Sequence, residues 1–101
     1  MSVTAQLSDS GQALVLKILG RFDFSIHQDF RNAYEKHKGP VNSYIIDLKD
    51  ASYIDSSALG MLLLLRDYAG GDKTPITIVG SNPDVKKILI ISNFNQLFKI
   101  E

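Results

Sequence analysis

Ser52-Tyr53-Ile54-Asp55-Ser56-Ser57-Ala58-Leu59-Gly60-Met61-Leu62-Leu63-Leu64-Leu65-Arg66-Asp67-Tyr68-Ala69-Gly70-Gly71 reads as one helix with both ends marked. Asp and Ser side-chain oxygens accept from the unpaired N–H groups of a first turn, and glycine adopts the left-handed conformation that closes a last turn. The helix is expected to start near Ser56 or Ser57 and to stop at Gly70-Gly71. A rotation of about 100° per residue separates two faces. Ala58, Met61, Leu62, Leu65, Tyr68 and Ala69 share one side, assigned to the core. Leu59, Gly60, Leu63, Arg66 and Asp67 share the other, with Ser56 one turn earlier on that same outer side. Two leucines and a glycine beside a serine make a small docking surface with a hydroxyl at its edge. The same pattern also fits a helix buried on most sides, with Ser56 as a cap only.

Upstream, Val3–Leu7 and Ala13–Leu19 flank the polar turn Ser8-Asp9-Ser10-Gly11 and read as a β-hairpin. Gly20-Arg21-Phe22-Asp23 interrupts the alternation, and Ile26, Phe30, Ala33, Tyr34 and His37 then follow helical spacing. Ser25 with Gln28 forms a candidate capping box, and Gly39-Pro40 ends that helix. Val41–Leu48 is the next strand, its Tyr44-Ile45-Ile46 run pointing to burial on both faces. Downstream, Pro75–Val79 is a β-branched strand. Ser81 or Asn82 caps a third helix with Pro83 in its first turn and Val85, Ile88, Leu89 and Ser92 on its inner face. Asn95–Ile100 closes the chain as a short edge strand.

The order β-β-α-β-α-β-α-β implies a mixed α/β fold with a mostly parallel sheet. Right-handed crossovers that add strands in one direction place all three helices on one face of it. The loops after the parallel strands then share one rim, where open α/β sheets carry their sites, and Asp23 and Ser56 are expected there as neighbours.

The 101 residues, 45% hydrophobic, suit one domain over residues 1–101. Eleven basic and eleven acidic side chains cancel, so no general attraction to nucleic acid or to an anionic membrane is expected. Cysteine is absent, which removes disulfides and thiolate metal sites. The amino terminus lacks the basic start and apolar core of a signal peptide, and the longest apolar runs are far short of a bilayer span of roughly 20 residues. A cytoplasmic protein without membrane insertion is expected.

Gly20-Arg21-Phe22-Asp23, Ile46-Asp47-Leu48, Tyr53-Ile54-Asp55-Ser56-Ser57-Ala58-Leu59-Gly60 and Asn82-Pro83 together resemble the STAS domains, specifically the stand-alone anti-sigma factor antagonists of bacterial partner-switching systems. The resemblance covers essentially the whole chain. It implies that Ser56 is phosphorylated by an anti-sigma factor that is also a serine kinase, that a serine phosphatase removes the phosphate, and that Asp23 assists the switch. Ser57-Ala58 is a mild departure, since family members often carry Gly or Thr there. It bears on which hydroxyl is modified. Ser56 shares the outer side with Leu59 and Leu63, whereas Ser57 turns toward the core and suits capping. The expected partner surface is Leu59, Gly60, Leu63 and Arg66, with Asp23, Asp55 and Ser57 supporting the switch.

No phosphate-cradling glycine loop, metal-ligand cluster or Ser-His-Asp set is legible, so neither an enzyme nor a cofactor is expected. His27 and His37 read as a surface and a partly buried residue of the first helix. Other STAS domains serve as scaffolds or as subunits of membrane transport assemblies, often without the phosphorylatable serine. The presence of both Asp23 and Ser56 favours the phosphoswitch.

Overall fold

The hairpin pairs β1 (Val3–Leu7) with β2 (Ala13–Ile18), from Val3 opposite Ile18 to Leu7 opposite Leu14. The computed structural model, which describes residues 2–101, extends β2 with three parallel neighbours, β4 (Ser43–Asp47), β6 (Ile76–Val79) and β7 (Lys99–Ile100), in the order β1-β2-β4-β6-β7. Each crossover adds its strand on the same side of the last. The intervening helices α1 (His27–Glu35), α2 (Ser56–Ala69) and α3 (Pro83–Ile91) therefore cover a single face. Burial follows the register. The paired rows Leu14, Tyr44, Ile76 and Leu16, Ile46, Ile78 lie in the core, while Val15, Ile45 and Thr77 between them are only half-buried. Ile45 therefore departs from the two-sided burial expected of its run, because no layer covers the second face.

A separate two-stranded ribbon was not legible in the sequence. β3 (Gly20–Phe22) and β5 (Ala51–Ile54) pair in parallel, with Arg21 opposite Tyr53 and Phe22 opposite Ile54. Strands this short carry no period, and their partners are about thirty positions apart. Phe22, Ala51 and Ile54 are buried, and the Phe22 ring lies 5.2 Å from Phe30 of α1. This anchors the ribbon on the core and fixes where its two outgoing loops emerge.

Two helix boundaries also differ from expectation. Ser25 is not the cap of the first helix: Asp23 accepts from the Ser25 N–H and starts the single turn Phe24–Ile26, which continues into α1. Gln28 bonds to Asn32 instead of closing a capping box. His37 lies beyond α1, which ends at Glu35. In α3 the Asn82 cap and Pro83 stand as expected, but only Val85 and Leu89 are buried, with Ile88 and Ser92 exposed. Val85 and Leu89, one helical turn apart, form the single stripe that α3 buries. Gly80, at φ +75°, is required by sterics, since a Cβ there would stand 3.0 Å from the Lys49 backbone nitrogen.

Candidate functional site

The parallel ribbon delivers two chemically similar loops to one rim. Beyond the paired Phe22 and Ile54 come Asp23-Phe24-Ser25 and Asp55-Ser56-Ser57. Both aspartates are extended, with φ/ψ of −141°/−173° for Asp23 and −128°/−176° for Asp55, and both cap the helical turn that follows. Asp55 Oδ1 accepts from the Ala58 N–H at 3.0 Å and from the Ser57 hydroxyl at 2.6 Å. Asp23 Oδ1 accepts from the N–H and the hydroxyl of Ser25, while its Oδ2 accepts from Arg21 Nε at 3.2 Å. Ser57 is therefore not the cap. Its hydroxyl donates to the carboxylate that is, because aspartate's longer reach meets the first-turn N–H.

These hydrogen bonds hold both carboxylates in the ionised form. The Ser25 hydroxyl, then the Ser25 N–H, lowers the pKa of Asp23 below its ordinary value of 3.8. The Ser57 hydroxyl, then the Ala58 N–H, does the same for Asp55, against a weaker upward push from the charge of Asp23. The pairing of the two strands sets both carboxylates on one rim. Ser56, the middle residue of its loop and the first of α2, is exposed.

The outer side of α2 is wider than its sequence indicates. Leu63 is 39% and Leu64 59% exposed, and Tyr68, expected in the core, is 52% exposed against Tyr34. Helical angle placed Leu64 between the two expected faces, so nothing marked it. Leu59 is correspondingly rotated inward and packs partly against the core. Arg66 is not a free rim cation: its side chain is mostly buried and ion-paired with Asp72. Gly60 lies between Ser56 and Leu63, and a Cβ added there would meet nothing within 4 Å. A helix-interior glycine costs about 0.8–1.0 kcal/mol relative to alanine, and no internal contact accounts for this one.

His27 is half-buried and stacks on Phe24 at 4.5 Å. Among the described residues, no group of three or more His, Cys, Asp or Glu side chains is placed to hold a metal ion, and no helix is long and apolar enough to cross a membrane.

Residues 5–100 match the family described as "Mlab, STAS domain". A STAS-domain containing protein of Pseudomonas aeruginosa (strain UCBPP-PA14) is 57% identical over 100 residues, 99% of each chain. Among solved structures, the anti-sigma factor antagonist SpoIIAA in its unphosphorylated form superposes with a TM-score of 0.66 at 15% identity, over 98% of this chain and 86% of that one. A sulfate transporter family protein from Wolinella succinogenes gives 0.74 at 13% identity, over 90% and 73%. At such identities the likeness to both structures is one of fold.

Proposed function

The chain belongs to the STAS-domain family, and from that premise we propose that it is an anti-sigma factor antagonist whose grip on its partner is switched at Ser56. The observation that carries this reading is the exposed Ser56 at the head of a helix whose outer side is apolar, on a rim that also carries Asp23 and Asp55 with lowered pKa values. The bare serine leaves that surface neutral enough to be covered by an anti-sigma factor that is also a serine kinase. Phosphorylation adds about −1.5 to −2 charges at pH 7. Asp23 and Asp55 already stand at that rim, so the phosphate repels and resists desolvation at a packed interface. The fold survives the modification, because a phosphate at a helix amino terminus meets free N–H groups and the favourable end of the dipole. A serine phosphatase resets the switch in the cytoplasm.

The reading is of a regulator, not an enzyme. Asp23, on the rim shared with the Ser56 loop, is occupied by Ser25 and Arg21, and its lowered pKa makes it a poor proton acceptor. The transporter-like neighbour shares the fold, yet the presence of both Ser56 and Asp23 favours the switch over a transport scaffold. Incubation with ATP and a cognate anti-sigma kinase, followed by mass spectrometry, tests the proposal. One phosphate on Ser56, with loss of binding, is expected. Modification of Ser57, or none on a chain that binds an active kinase, refutes it.

A further inference from the structure

The second loop of the rim holds an exposed residue at the position equivalent to Ser56. In Asp55-Ser56-Ser57 the outer residues lock onto each other by hydrogen bonds and the middle one is presented to solvent. Asp23-Phe24-Ser25 repeats this lock, and the residue presented is Phe24, 64% exposed. An aromatic ring left in water forfeits most of the burial energy available to it. This ring is also held in place, since it stacks on His27 with only 6° between the planes. Behind the stack a groove of about 230 Å³ runs between α1 and α2, lined by His27, Phe30, Tyr34, Leu64 and Tyr68 together with the Arg31–Glu35 pair.

We infer that Phe24 and this groove are the second half of the docking surface, taking an apolar side chain of the same anti-sigma partner that covers Leu63 and Gly60. The inference rests on the functional reading above and deepens it. Three observations choose the occupant. Leu64 and Tyr68 belong to α2, so the groove is continuous with that helix's outer side. The cation in the wall, Arg31, is already bonded to Glu35 at 2.8 Å, leaving no net charge to recruit an anion. Phe24 stands on the same rim as Ser56, so one phosphate disturbs both halves at once.

The experiment titrates purified anti-sigma factors of the same genome against the 101-residue chain and four variants by calorimetry. Phe24→Ala is expected to weaken binding about tenfold or more, as truncation of an interface aromatic does, with an unchanged melting temperature and circular-dichroism spectrum. Phe24→Tyr keeps the stacked ring and should retain affinity, and His27→Ala, which removes its support, should lose less than Phe24→Ala. Leu63→Glu separates the two ideas. Loss of binding in Leu63→Glu with Phe24→Ala within about twofold of wild type overturns the inference and leaves the functional reading standing. Binding by none of the anti-sigma factors to the wild-type chain overturns both.

Discussion

Replacing Gly60 by alanine should make the protein more stable and a worse binder. The added methyl meets no atom within 4 Å, so there is no overpacking to offset the gain. Alanine in a helix interior is favoured over glycine by about 0.8–1.0 kcal/mol. For a chain of this length, that is a rise of about 3–6 °C in melting temperature, measurable by scanning calorimetry. Titration with the anti-sigma partner should show the opposite sign, because a Cβ projecting between Ser56 and Leu63 holds the two surfaces apart. The loss should grow through Gly60→Leu while stability stays at or above wild type. A lower melting temperature for Gly60→Ala would mean the glycine serves an internal contact. A stabilised variant that binds as well as wild type would place the docking surface elsewhere.

Leu63→Glu should leave the melting temperature within a few degrees, since the side chain is substantially exposed, while abolishing partner binding in the same titration. Ser56→Ala should bind constitutively in the presence of kinase and ATP, and Ser56→Asp should bind weakly, a carboxylate having less charge and fewer acceptor oxygens than phosphate. Gly80→Ala should destabilise by roughly 1–2 kcal/mol or more, read as a lower urea midpoint, because it combines a positive φ with an approach to the Lys49 backbone. Acid unfolding should report the two capping carboxylates. Their folded pKa values lie below 3.8, so they contribute stability that is present above about pH 4 and lost as pH falls through the lower folded values. Asp55→Asn keeps a capping side chain and should flatten that dependence, whereas Asp55→Ala should also lower the urea midpoint at neutral pH.

Residue order alone placed the elements whose end signals are unambiguous, though not the Ser25 cap, the end of α1 or the inner face of α3. The α2 boundaries follow from Asp55 and Gly70, whose capping roles depend on their own side chain and φ angle. The sheet order and the one-sided helix layer follow from strand sequence plus handedness. Tertiary structure decided what depends on partners distant in the chain. Gly20–Phe22 and Ala51–Ile54 become strands only because each finds the other, and that pairing sets Phe24 beside the switch. The rotation of α2 about its axis likewise needed its neighbours. A run of four leucines has no sharp polar boundary, so packing against α1 and the sheet, rather than helical period, turned Leu59 inward and left Leu64 and Tyr68 in water.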